Sequence, residues 1–585
     1  MKHSINIMVF TAAVFAASSC AVIRQADDRK VTADPSGYVL TPDQNDSVRL
    51  EMNFNIPGKY LSSRARLVIT PELVTGGYTR ERFEPIVADA PIYARKMNRK
   101  EVLESYEDPY KDIRTSAEGF RSGFVMPYTR TVHIPEDVRT ARIRAVISGD
   151  GCAECSAVDT VEIASVTTPL ELEENFRTAW MEPQFVIRPK IREGKGEAHL
   201  QFVINKSDIR PEMGNNRAEL DSMLAVLAPV MNDTLATVNS LSIYGMASAD
   251  GSYSFNAALA RNRADAAMKW LLEHVDVKPA VKKIIRVGSK PEGWWPVYEA
   301  MKSDGHPDTL EVKRILETYT DGNDDVQERY IRRLACWQDI KTKYLQKDRK
   351  VEYTYSYTVR SFTRDAELLE MYSRRPDAFN EEEFLRVASL ASGVESRMKD
   401  VYGTIQRYFP DSQTAANNLA VICLGHEDVA GALEALSPLD EYSPETMNTL
   451  GVCHVKNGNV SQAAELFGKS DTEQSRYNLG LLTARSGDME KAYQLLAPYR
   501  DLNSAIAALN TGRTAEADGI MQELDIQSPV AEYVRSLISA RNGQTEALFD
   551  HLARACADPE LKARAEDEAD FAPYREDMRF VEAIK

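Results

Sequence analysis

Four segments in the C-terminal third of the chain align on one another: "NNLAVICLGHEDVAGALEAL", "NTLGVCHVKNGNVSQAAELF", "YNLGLLTARSGDMEKAYQLL" and "NSAIAALNTGRTAEADGIM". Each reads as a first helix with small residues, a turn with glycine near its centre, and a second helix carrying an alanine. Those alanines are Ala432, Ala463, Ala492 and Ala517, at spacings of 31, 29 and 25 residues. The segment "YVRSLISARNGQTEALFDHL" continues the series. Small residues at fixed places matter because two helices cross closely only where no side chain holds them apart. A single helix pair cannot bury its own apolar face, so residues 380–585 are expected to stack into an all-α solenoid.

The rest of the 585 residues is patterned differently, and the length exceeds what one core can organise. Residues 36–170 alternate apolar and polar at strand lengths, as in "SVRLEMNFNIP", "ARLVITPELV" and "ARIRAVISG", which predicts a β-sandwich-like domain. A charged excursion from Arg95 to Arg121 interrupts it. From about Gly196 strands alternate with helices: "AHLQFVIN", "NNRAELDSMLAVLAPVMN", "ATVNSLSIYG", "NAALARNRADAAMKWLLEHV" and "VKKIIRVG". That order implies an α/β layer over residues 195–362, closed by the strand "VEYTYSYTV" after an insertion of short helices at 290–349.

Two resemblances follow from these residues. Leu450-Gly451 and Leu479-Gly480 in first helices, with alanine in second helices, resemble the tetratricopeptide repeat, although the spacing is shorter than usual. A solenoid of that kind offers a surface for a peptide or protein; the alternative is a spacer that packs on the preceding domain. The opening strand leading into "SDIRP", with "IYGMASADGS" and "NAALARNRADAAMKWL", resembles the OmpA-like C-terminal domain of Gram-negative envelope proteins. The resemblance implies a non-catalytic fold that holds the diaminopimelate part of peptidoglycan. Arg263 would make a key contact and Asn256 would support it. The family's aspartate position is Ser248 here, with Asp250 two residues on. A serine offers a neutral hydrogen bond roughly half as strong as the charge-assisted one it replaces.

At the N-terminus, Lys2 and His3 precede "INIMVFTAAVFAASSC", an apolar run too short to span a bilayer. Residues 1–19 read as a signal peptide, and Ala17-Ser18-Ser19 before Cys20 resembles a bacterial lipobox in which Cys20 is acylated. Ordinary secretory cleavage is the alternative. Cys152 and Cys155 lie between β-patterned stretches, so a hairpin disulfide is expected ahead of a redox CxxC or half a zinc site. Trp294, Trp295 and Trp337 could stack on sugar rings or pack the insertion onto the sheet.

A net charge of −17 argues against nucleic acid as a partner, since phosphate binding needs clustered Lys and Arg. No catalytic motif holds up. "GKS" at Gly468–Ser470 lacks the first glycine of a phosphate loop and falls in a repeat helix, and the eight histidines have no paired metal spacing. No catalytic residue, cofactor or metal is expected. The expectation is a non-enzymatic lipoprotein, anchored by lipid to the outer membrane. It would scaffold the cell envelope by contacting peptidoglycan and, through its repeats, envelope proteins. The alternative is a protein-assembly module without peptidoglycan contact.

Overall fold

The computed structural model describes residues 30–585 except 44, 136, 152–155, 204, 292, 321–323 and 346–349. Cys20, Cys152 and Cys155 therefore lie outside the described residues. The chain divides into two compact units: one ends at Ala179 and resumes at Leu450, and the other spans Trp180–Thr449.

In the first unit, period-two patterning produces two sheets. Thr32–Asp34, Ser47–Pro57 and Gly123–His133 form one antiparallel sheet. The other runs Tyr38–Leu40, Ser156–Thr167, Thr140–Asp150, Arg66–Thr75, Ile86–Asp89, Arg114–Ser116, with Tyr78–Arg82 beside Arg66–Thr75. Alternate residues of Ser47–Pro57 (Val48, Leu50, Met52, Phe54, Ile56) join Ile143, Ala145 and Ile147 in a shared core. The helix Pro91–Leu103 leads into the charged excursion, which is tied down by charge. Buried Arg66 donates to Asp89 at 2.6 Å and to Asp108 at 2.6 Å. The Arg66 guanidinium holds the Asp108 carboxyl down at about 2.

Helices complete this unit: Glu473–Arg485 with Met489–Leu496, Leu502–Asn510 with Thr514–Glu523, Pro529–Arg541 with Thr545–Ala555, then Pro559–Asp567. These are tetratricopeptide-like pairs, and the aligned alanines Ala463, Ala492 and Ala517 are fully buried. Gly451 and Gly480 face Phe467 and Leu496 so closely that a Cβ would lie 2.5 Å and 2.8 Å from those side chains. Close crossing is thus the reason for Leu-Gly. Gly487, Gly512 and Gly543 turn each pair with positive φ, which glycine adopts at no steric cost. The helix Pro559–Asp567 meets the second sheet, where Asp567 accepts from Arg142 Nε at 2.8 Å and from Gly76 N at 2.7 Å.

In the second unit a four-stranded sheet runs Lys190–Ala198, Val351–Val359, Ala236–Ala247, Ile285–Pro291; only the last pairing is parallel. The helices Asn216–Asn232 and Tyr253–His274 cover one face through Leu220, Met223, Leu227, Ala264, Ala267 and Leu271. Gly245 is needed where that second helix approaches the sheet, since a Cβ there would fall 1.9 Å from the Ala260 carbonyl oxygen. The opening strand differs from the sequence expectation. It is Lys190–Ala198, and Leu200 and Phe202 are buried beyond its end, outside any strand. Short helices fill the insertion, including Trp295–Ser303, Thr309–Thr318 and Asp324–Ile331. Further helices follow, among them Glu381–Leu390, Glu395–Tyr408 and the pair Gln413–Gly425 with Val429–Leu436. Ala432 is fully buried in that pair, whose turn residue with positive φ is Glu427. Among the described residues, no helix is long and apolar enough to cross a membrane. Residues 168–189 adopt neither helix nor strand.

Candidate functional site

The turn that the sequence singles out follows the strand Ala236–Ala247 and opens the helix Tyr253–His274. Ser252 caps that helix by accepting from Phe255 N at 3.4 Å. Ser248, Asp250, Asn256 and Arg263 are brought into one neighbourhood. The Asn256 side-chain amide donates to the carbonyls of Ser248 (3.0 Å), Asp250 (3.0 Å) and Gly251 (3.2 Å). Ser248 donates its hydroxyl to the Asp250 carboxylate. Arg263 donates to the Met246 carbonyl at 3.2 Å and lies 4.6 Å over the Phe202 ring. Ser248, Asn256 and Arg263 are 7%, 5% and 3% exposed.

The insertion supplies the turn's remaining partners. Glu328 accepts from Gly251 N at 2.7 Å and Asp325 accepts from Tyr253 N at 3.0 Å. Carboxylates at a helix N-terminus are favoured by its unpaired N–H groups and its dipole. Trp294 is fully buried with Trp337 6.3 Å away, whereas Trp295 is half-exposed against Tyr298. Packing therefore accounts for Trp294. Among the described residues, no group of three His, Cys, Asp or Glu side chains could hold a metal ion.

A second polar constellation lies along the helices. In the first unit the segment Leu170–Arg177 runs across the first helices of successive pairs, held by asparagines, and makes one tight turn at Glu174, where Asn175 N donates to the Glu173 carbonyl at 2.9 Å. Asn510 accepts from Leu170 N at 2.9 Å and donates to Leu170 O at 2.8 Å. Asn503 does the same for Glu173 at 2.7 and 2.9 Å, and Asn478 for Arg177 at 2.7 and 2.7 Å. In the second unit Asn418 holds Met181 in the same way at 2.9 and 2.7 Å. A primary amide carries an acceptor and a donor side by side, so it matches the N–H and C=O of one extended residue. Asn418, Asn478 and Asn503 are fully or almost fully buried.

Side chains of this strap are held as well. Glu174 pairs with Arg485 at 3.2 Å. Asn175 Oδ1 accepts from Tyr477 Oη at 2.9 Å and from Asn503 Nδ2 at 3.0 Å. Phe176 stacks on Phe467 with ring centroids 6.4 Å apart and planes 13° from parallel. The Arg177 guanidinium lies 3.5 Å over the Tyr477 ring and donates to Asp501 at 2.7 Å. Burial, followed by the nearby Asp501 charge, pushes the Tyr477 hydroxyl up to about 12.

The clamp asparagines were in the aligned repeats but were not singled out from the sequence. Their signal is positional: Asn418, Asn478 and Asn503 each stand nine residues before the positive-φ residue of their turn, Glu427, Gly487 and Gly512. Thr449 and Val534 occupy that place before Gly458 and Gly543.

No family model matches the chain, and no curated protein matches it. Among solved structures, it is similar to PilW, described as a widely conserved type IV pilus biogenesis factor. Identity there is 15% and the TM-score 0.27, over 31% of this chain and 96% of that one. It is also similar to a tetratricopeptide repeat protein from Parabacteroides merdae, at 13% identity and a TM-score of 0.26, over 37% of this chain and 90% of that one. A third similarity is to the APC/C hetero-tetramer Cut9–Hcn1, at 12% identity and a TM-score of 0.28, over 58% of this chain and 66% of that one. The buried alanines, the Leu-Gly crossings and the turn glycines are what give these helices their repeat character.

Proposed function

We propose that this chain is a non-enzymatic assembly scaffold of the bacterial cell envelope, whose tetratricopeptide-like helices grip extended polypeptide by its backbone. One observation carries the reading: asparagine side chains make paired hydrogen bonds to both backbone groups of Leu170, Glu173 and Arg177, and of Met181. Contacts of this kind hold a chain in register and suit protein assembly rather than chemistry on a substrate. The envelope location and a lipid anchor at Cys20 rest on the apolar run and small residues that precede it. Amide hydrogen exchange on the intact protein tests the clamp. The amides of Leu170, Glu173, Arg177 and Met181 are expected to exchange far more slowly than in a free chain. Rates equal to those of an unfolded peptide would sink the reading.

Peptidoglycan contact through an OmpA-like domain is the second reading. Arg263 and Asn256 stand where that resemblance needs them. Burial of both, the bracing role of Asn256 and the carboxylates of Asp325 and Glu328 over the turn all weigh toward a loop that is structurally self-satisfied. A pull-down with purified peptidoglycan separates the readings: the assembly reading expects no retention. Retention of the wild type that is lost in a folded Arg263→Ala variant would reinstate the cell-wall reading.

A further inference from the structure

The strap is held in two distinct ways, and only one of them depends on its sequence. The asparagines bind backbone and would accept any extended residue. The four consecutive side chains of Glu174-Asn175-Phe176-Arg177 each meet a partner of matching chemistry. Those partners are Arg485 for the acid, Tyr477 and Asn503 for the amide, Phe467 for the ring, and Tyr477 with Asp501 for the guanidinium. Charge is complementary at both ends, acid to arginine and arginine to aspartate, the Glu174–Arg485 pair being exposed and so the weaker of the two.

We infer that the helix face between Phe467 and Asp501 is a sequence-specific binding site for an acidic–Asn–Phe–Arg segment of another protein, and that the strap is a copy of that ligand held in cis. The inference rests on the backbone-clamp reading above and adds the partner's chemistry to it. Residues 168–189 contribute to no sheet or helix, so exchanging the strap breaks side-chain contacts without dismantling a backbone ladder. A tethered ligand competes at an effective concentration on the order of millimolar. A partner segment therefore takes over only when it is locally concentrated, as a component of the same assembly would be.

The test uses the full chain carrying Phe176→Ala and Arg177→Ala, which weakens the strap and leaves the site intact. The probe is a fluorescein-labelled peptide of residues 169–179, PLELEENFRTA, followed by anisotropy. The strap variant is expected to bind the peptide at least about tenfold more tightly than the wild type, whose own strap competes. A peptide with alanine in place of Phe and Arg is expected to bind neither. Equal binding by wild type and variant, binding by neither, or binding that ignores Phe and Arg would each overturn the inference. So would a variant that instead dimerises by exchanging straps, as seen by its mass in solution. Should the variant fail to fold, the unmodified chain supplies the second measurement. Excess wild-type peptide must accelerate amide exchange at Leu170 and Glu173, and unchanged exchange overturns the proposal. Slow strap exchange without peptide, together with no peptide effect, would leave the clamp reading standing and remove only this inference.

Discussion

Two sets of buried amide side chains in this molecule do opposite jobs. Asn256 reaches carbonyls five to eight residues away in its own turn, and beside it Ser248 and Arg263 bond residues two and 17 positions away. Asn478 and Asn503 reach residues 301 and 330 positions away, and use donor and acceptor together. The first pattern braces a loop, whereas the second holds a separate stretch of chain. Burial alone does not distinguish them, because all of these side chains are within a few per cent of fully buried. The distinguishing fact is whose backbone the amide satisfies.

The largest expected effect comes from removing two of the four long-range clamps. Asn478→Ala with Asn503→Ala deletes two backbone pairings and strands the N–H and C=O of Glu173 and Arg177. The expected cost is about 2–3 kcal/mol per site. The two sites share Tyr477 and Asn175 and should not add simply. The readout is amide exchange at 173 and 177, expected to accelerate by about three orders of magnitude or more. The comparison breaks if those amides stay protected.

Asn256→Ala is the matched control. It should lower stability by about 2 kcal/mol, measured by urea denaturation, because three carbonyls lose a shared donor. Exchange at Leu170, Glu173 and Arg177 should not change. If it does, the turn is not merely a local brace.

Alkaline titration probes the strap more gently. The Tyr477 hydroxyl is pushed up to about 12 in the folded chain by burial, against 10 in a free tyrosine. Folding therefore disfavours its ionisation, so its contribution is complete below pH 10 and is lost as pH rises from 10 to about 12. Tyr60 and Tyr128 are also raised to about 12, so the measurement is the difference between wild type and Tyr477→Phe. The variant should lose less stability over that window, by about 1 kcal/mol. An identical slope would remove Tyr477 from the strap's energetics.

The smallest effect concerns the scaffold under the clamp. Glu427 holds the left-handed turn position taken by glycine in the later pairs, with φ of 61°. Glu427→Gly should raise thermal stability by about 0.5–1 kcal/mol through relief of the Cβ strain. Protection of Met181 by Asn418 in the same helix pair should be unaffected.

Much of the fold was readable from local pattern. The alanines, the Leu-Gly pairs and the turn glycines announced the helix pairs, because close crossing and left-handed turns demand those residue types at those places. The strands Ala236–Ala247 and Val351–Val359 were readable from alternation. The strand Lys190–Ala198 was not, since it lies at the sheet edge and carries exposed charge and glycine. Its regularity comes from its neighbour: the rings of Tyr355 and Tyr353 lie over Gly194 and Gly196. At the candidate ligand turn, the sequence located Ser248, Asp250, Asn256 and Arg263 but not the covering carboxylates of the insertion, Asp325 and Glu328. The clamps were harder still. An asparagine in a helix carries no label for a partner 300 residues away, and the strap has no periodicity of its own to point back.

The separation between strap and clamp also fixes an order of events during synthesis. Arg177 is made 301 residues before its future partner Asn478. At about 5–20 residues per second, that interval lasts roughly 15–60 s. Leu170, Leu172 and Phe176 have no helices to pack against during that time. The neighbouring strands of the first unit, by contrast, can pair as they emerge. The nascent chain thus passes through a stage in which this apolar stretch lacks its native partners.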